Sequence, residues 1–478
     1  MGEGLHLYKI NGKYFMTSAW FTGEMRMPTA RASSLDGPWE VNQEISRGED
    51  FGFVRGNRLA QVPRGTPPGP PYKINPANPA ERGRNAIHQG GIVDTPTGEW
   101  WGFSMMDANS VGRLTCLSPV TWNDGWPYFG LPGNLGRTPR TWVKPNTGVA
   151  QKPAAPYRRS DEFSQPDLQP VWQWNHVPVD GKWSLRERPG FLRLHALPAE
   201  SFWRARNTLT QRAMGPRSTV TVVLETGGLK PGMVAGFGLF NRPYAWLGLE
   251  HDDSGLALTF FDEQTSRPVR SPFRGRKVWL RAECDFLKEI AQFSYSTDGK
   301  TFQPVGGPWT MVFQLTTFQG IRYSLFAYTT RAGAEPGYAD FDSIDIQEPT
   351  PKGLTKAIPI GKQVHLRVAG PAAVEANGSP FAVIDRKLGR VALRTRNRSF
   401  LSVAENGSVS LRQVSRPGVA ETFQWMETFT GELILMSLTN HRYLRLEPAT
   451  ATLSADSIGP RADGLDGVRF TFEVVRGR

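Results

Sequence analysis

Cysteine is nearly absent from this chain, and its scarcity removes two classes of protein at once. Only Cys116 and Cys284 occur among 478 residues. They lie far apart and neither has a Cys-x-x-Cys neighbour, so neither a disulfide framework nor a zinc site is indicated. Each reads as a small buried apolar residue. No apolar run long enough to span a bilayer is present, and the N-terminus lacks the basic-then-apolar pattern of a signal peptide, so the sequence marks neither a membrane partner nor an export leader. Basic helices and basic arms are missing as well. The formal net charge of +12 would suit an anionic polymer, yet the arginines are scattered through every region. A solvated, arginine-rich surface is the simpler reading, and nucleic acid is not an expected partner.

Glycine, proline and aromatic residues are abundant: 50 Gly, 38 Pro, 15 Trp and 27 Phe. Short apolar runs between turn residues favour repeated short strands over long helices, and the chain reads as essentially all-β. Its length suits roughly two to four domains.

The first residues set the question. Glu3 precedes an alternating stretch, His6-Leu7-Tyr8-Lys9-Ile10, then an Asn11-Gly12 turn and a second aromatic stretch, Lys13-Tyr14-Phe15. This is a hairpin with a carboxylate at its mouth. Strand, turn and aromatic strand recur through Thr29–Ser33 with Leu35-Asp36-Gly37-Pro38-Trp39, then His88-Gln89-Gly90-Gly91-Ile92-Val93-Asp94, Glu99-Trp100-Trp101-Gly102-Phe103, Gly112-Arg113 and Pro119–Pro127. Propeller blades present themselves in this way. The proline-rich segment from Val62 to Asn85 reads as a long loop, and the text from Gly133 to Ser160 as a linker.

Taken in order, Glu-Gly-x-His-x-Tyr-Lys, Ala-Arg-Ala-x-Ser-x-x-Gly-Pro-Trp, His-x-Gly-x-x-Val-Asp-Thr-Pro-x-Gly-Glu-Trp-Trp and Gly-Arg with Pro-Val-x-Trp-x-Asp-Gly-Trp-Pro resemble the second half of a family 43 glycoside hydrolase catalytic domain. That family is a five-bladed β-propeller containing β-xylosidases, α-L-arabinofuranosidases and arabinanases. The resemblance implies a partial propeller, last blades only, over residues 1–140. From Asp161-Glu162-Phe163 to Ile344, period-two alternation and regular turns fit a two-sheet sandwich. The phrases are similar to the concanavalin-like sandwich of β-xylosidase-type members, placing that domain at 155–347. After Glu348-Pro349-Thr350-Pro351-Lys352, a repeat relates Val391–Val403 to Ile434–Leu446, and Phe423 and Trp425 to Phe470 and Phe472. Such a unit cannot bury its own apolar face, so a β-trefoil is expected over 357–478, similar to the fascin type; its first repeat, Val364 to Val383, matches poorly.

The resemblance makes Glu3 the general acid of an inverting glycosidase and implies that a general base and a second, tuning aspartate belong upstream of Met1. The chain then reads as a fragment, or as one requiring a complementing N-terminal propeller fragment. Asp36, Asp94, Asp107 and Asp124 are the carboxylates to consider as a substitute base, and none has a supporting motif. His88 corresponds to a family histidine that faces the central channel, beside calcium or water; a core histidine bonded to backbone is an equal alternative. Arg113 corresponds to an arginine that reaches the sugar, with a salt bridge as the alternative. Trp20, Phe21 and Trp101 offer stacking faces, although aromatics on such strands more often fill the core.

The implied function is hydrolysis of plant cell-wall pentose oligosaccharides or side chains, of the β-xylosidase or α-L-arabinofuranosidase type. For the full-length protein an extracellular or periplasmic location is expected. A non-catalytic carbohydrate-binding protein that uses the sandwich and trefoil is the competing reading, and charge-driven binding of an anionic polymer is a third.

Overall fold

Asn11 and Gly12 both take positive φ, 48° and 79°, the mirror-image turn whose twist matches the strands it joins. It closes His6–Ile10 onto Lys13–Thr17 with Ile10 opposite Lys13. The computed structural model describes residues 2–20, 26–47, 56–60, 69–76, 87–150, 157–313, 317, 319–331, 333, 337–348, 354, 356–370, 375–428, 431–461 and 464–475. Phe21, most of the segment from Val62 to Asn85, and the Pro349–Lys352 link lie outside these residues.

Thr29–Ala32 and Glu40–Asn42 complete a four-stranded antiparallel sheet with the opening hairpin. A second sheet of five strands runs through His88–Asp94, Trp100–Asp107, Arg113–Asn123, Trp126–Leu131 and Asn134–Leu135. The two sheets pack face to face as blades. Alternation puts Tyr8, Phe15 and Arg31 on the inner side of the first sheet. There Phe15 meets Trp122 edge-on at 5.4 Å and the Arg31 guanidinium lies 4.0 Å over Trp126. Met27, Ile45, Ile92, Val120 and Phe129 are buried between the sheets. Several apolar side chains remain exposed on these sheets: Leu7 and Val41 at 57% and 56% in the first, Val93 and Leu117 at 49% and 51% in the second.

A sandwich follows, its sheets of eight and seven strands enclosing one core that includes Phe237, Leu247, Leu280, Phe293 and Phe341. Asp161 opens this unit by exchanging both backbone hydrogen bonds with Ile344, 2.9 Å each, and its carboxylate accepts from the Phe163 amide and the Trp172 indole.

The last unit closes on itself. Gln363–Val368, Phe381–Asp385, Arg390–Arg394, Phe423–Glu427, Leu433–Ser437 and Phe470–Val474 pair in a continuous ring. Hairpins stand off it at Phe400–Arg412 and Tyr443–Ser457. This is the pairing plan of a β-trefoil. In the first of its three units, the described residues between the ring strands hold only an Arg367–Glu375 bridge, which explains why that repeat reads poorly. The related positions Trp425 and Phe472 touch, with ring centroids 5.2 Å apart.

Two junctions fix these units to one another. Glu289 of the sandwich, almost fully buried, accepts from the backbone amides of Asn57 and Ser110, the latter at 2.7 Å. Burial pushes its carboxyl above the usual glutamate range. At the other junction the expected linker is partly structured. Asn134–Leu135 joins the blade, Leu131 is buried with Met426, Ile434, Met436 and Tyr443, and Trp142 packs beside them. His441 Nδ1 bonds the Pro132 carbonyl at 2.8 Å, and its ring meets Trp142 edge-on. Partners three hundred residues away gave this stretch its order, so no local signal marked it.

Replacing Glu289 with Ala is expected to orphan two amides and destabilise the protein by about 2–5 kcal/mol, read by urea unfolding. Burial, followed by the Arg390 charge, depresses His441 below its ordinary value. Its neutral form therefore holds the junction. That contribution is complete above about pH 6.5 and is lost as pH falls through the depressed value. Faster hydrogen exchange at residues 131–142 on acidification, absent from His441→Asn, is the expected readout.

Candidate active site

Glu3 lies in the turn before the first strand, exposed to solvent, while its backbone is held. Its carbonyl accepts from the Ala19 amide at 2.9 Å. Gly2 permits this approach, since a Cβ there would fall 1.6 Å from the Ala19 oxygen. Gly4, at φ +67°, packs on the Gln89 side chain, which a Cβ would meet at 3.1 Å. The acid thus combines a pinned main chain with a carboxylate directed outward.

Gln89 reaches that turn because the strand bulges. His88 pairs with Met105, but the next partners are Gly91 and Phe103, and Gln89 takes φ 51° in the slack between them. A bulge re-aims a side chain. Packing is close both within the blade and between blades: a Cβ on Gly90 would lie 1.8 Å from the Phe103 oxygen of the neighbouring strand, and one on Gly91 would lie 2.0 Å from the Tyr8 hydroxyl of the other sheet. Thr17 donates to the Gly90 carbonyl at 2.9 Å, and the Tyr8 hydroxyl accepts from the Ile92 amide at 3.0 Å. Burial pushes the Tyr8 phenol above its usual range.

Arg113 completes the cluster. Its Nε lies 3.3 Å from Asp107 Oδ1, and Nη1 donates to Gln89 Oε1 at 3.4 Å. A line of contacts therefore runs from the Glu3 turn through Gln89 to Arg113 and Asp107. Sequence reasoning named both ends and missed the middle. The Gly90-Gly91 pair after Gln89 was the available signal, since two adjacent glycines in a strand mark a bulge or a close approach.

The other candidates divide. Trp20 is 39% exposed and pairs through its backbone with Arg26, next to the Ala19 that holds Glu3. Trp101 must be corrected. It is only 5% exposed, its indole donates to Glu99 at 3.0 Å, and it lies toward the opposite end of its strand from Asp107, so it offers no stacking face. Asp36 and Asp124 lie in exposed turns and Asp94 at the far strand end; Asp107 is engaged by Arg113. His88 is completely buried. Among the described residues no three His, Cys, Asp or Glu side chains gather as a metal site. An imidazole is also a poor calcium ligand, so these residues do not by themselves fit that ion.

Residues 160–347 match the family described as the beta xylosidase C-terminal concanavalin A-like domain. The chain is 30% identical over 399 residues to a beta-xylosidase of Formosa agariphila, covering 74% of this chain and 61% of that protein. It is 33% identical over 206 residues to a non-reducing end alpha-L-arabinofuranosidase of Bacteroides ovatus, covering 40% and 32% respectively. A solved bifunctional GH43-CE protein of Bacteroides eggerthii superposes with a TM-score of 0.57 at 30% identity, over 77% of this chain and 45% of that one. The chain thus spans less than two thirds of the length of each of these relatives.

Packing at the bulge can be tested through its tightest contact. Gly91→Ala is expected to lower stability by about 1–3 kcal/mol, and by less in a Tyr8→Phe background, which removes the opposing oxygen. A double-mutant cycle from urea unfolding measures that coupling.

Proposed function

Because this chain belongs to glycoside hydrolase family 43, whose β-xylosidase-type members combine a β-propeller with a concanavalin-like sandwich, we propose that it serves inverting hydrolysis of O-glycosidic bonds of the β-xylosidase or α-L-arabinofuranosidase type. Its substrates are plant cell-wall pentose oligosaccharides or side chains. The observation that carries this reading is the pinned Glu3 turn, packed through Gln89 onto the Arg113–Asp107 pair.

Direct attack by water needs an acid to protonate the leaving oxygen and a base across the sugar ring, with the carboxyls about 6.5–9.5 Å apart. Glu3 is the proton donor in this scheme. Arg113, held at Nε by Asp107 and at Nη1 by Gln89, is the residue that reaches the sugar in this scheme, and Trp20 supplies a face beside the acid. Asp107 pairs with Arg113 in this scheme, and the base is assigned to a residue outside the described ones. The exposed apolar residues Leu7, Val41, Val93 and Leu117 are ones that complementing blades would cover.

The test is hydrolysis of nitrophenyl β-xyloside and α-L-arabinofuranoside by the chain alone and mixed with the N-terminal propeller half of a relative. Turnover is expected in the mixture, with an inverted product anomer by NMR and a loss of about 10²–10⁴ in Glu3→Gln. Oligosaccharide binding without turnover in either arm would instead identify a carbohydrate-binding protein.

A further inference from the structure

The sandwich brings two arginines to the Arg113 side of the cluster. Arg212 and Arg322 are direct cross-strand partners, an arrangement that repels. Arg212 is exposed, and its Nη2 donates to the Arg113 carbonyl at 2.9 Å. Arg322 is half-buried; its Nε donates to Thr210 Oγ1 at 2.8 Å and its other arm bonds Gln173. Just before it, the Ile321 amide donates to the Ser110 carbonyl at 2.8 Å. Gly320 lies so close to the same turn that a Cβ would fall 1.9 Å from the Val111 oxygen. This end of the sandwich is therefore seated on the turn that separates Asp107 from Arg113.

Neither guanidinium has a carboxylate partner among the described residues. Asp107 serves Arg113, and Glu348 serves Arg159 at 2.9 Å. Burial, and then the Arg212 charge, push Arg322 down to about 10, with no acid opposing them. Two like charges kept facing each other in a folded sheet lower stability, and such a local violation points to a site. The guanidinium N–H groups that these contacts leave over are charged donors of the kind a carboxylate accepts.

We propose that Arg212 and Arg322 form an anion subsite, contributed by the sandwich beside Arg113, that binds the carboxylate of a uronic-acid branch on a pentose chain. The identity of that chain rests on the function proposed above; the carboxylate subsite does not. A uronic-acid branch is favoured over a polyanion such as nucleic acid because the two facing arginines lie beside the one candidate sugar site, and the other arginines are scattered with no basic helix or arm.

Calorimetric titration of the full chain with a glucuronic-acid-substituted xylotriose, with unsubstituted xylotriose and with free glucuronate is the test. The acidic oligosaccharide is expected to bind at least about 10-fold more tightly than the neutral one. That preference should vanish in Arg212→Gln and weaken in Arg322→Lys, which keeps the charge but loses the fork. In the absence of ligand, Arg212→Gln should melt at or above the wild-type temperature, since it relieves repulsion, so a loss of binding would not reflect unfolding. Equal affinity for both oligosaccharides, no binding of any probe, or competition by inorganic phosphate as strong as by glucuronate would overturn the subsite. Arginine-dependent glucuronate binding with no affinity for either oligosaccharide would keep the subsite and sink the pentose reading.

Discussion

One buried carboxylate holds the catalytic-type blades in register with the sandwich. Glu289 accepts from backbone amides that belong to two separate segments, around Asn57 and at Ser110, and Gly56 comes close enough that any Cβ would strike the Glu289 oxygen. Desolvated as it is, such a group survives only where its hydrogen bonds replace the water it has lost. Ser110 sits in the short turn between Asp107 and Arg113, so the clamp bears on the same turn that positions the candidate site. Ile321 and Gly320 reinforce it from the neighbouring sheet. The sandwich is thereby a structural part of the site, not an appended module.

Much of this was legible in the chain. The Asn-Gly turn, the aromatic alternation and the period-two strands are local chemistry, and local chemistry survives translation into structure unchanged. The ring of the last unit announced itself because its second and third parts repeat in sequence, while the first, with its different inter-strand segment, did not. The failures share a cause. Trp101 looked like a stacking platform because a strand tryptophan gives no hint of which face will be covered; Glu99, two residues away, claims its indole. Gln89, Arg212 and Glu289 reach partners 85 to 232 residues away, and no periodicity encodes a partner at that distance.

The site is tense in two senses. At the bulge, glycines let main chain and a phenol approach more closely than any side chain permits, and the reward is the aim of Gln89. In the sandwich, two arginines face one another with no carboxylate partner among the described residues. A protein selected for stability alone would have relaxed both, so their joint occurrence around Arg113 is most simply understood as the requirement of a ligand.

The packing of Leu131 and Trp142 against Met426, Met436 and Tyr443 has a consequence for how such a protein could be shortened or recombined. Among the described residues, Asn134–Leu135 is the edge strand of its blade. An uncovered edge invites pairing with other chains, and here the ring-shaped unit seals the adjoining apolar surface. That unit therefore behaves as a stopper for the blade. Cutting it away would leave an adhesive rim, so its loss or exchange during evolution would demand compensating changes in the blade itself.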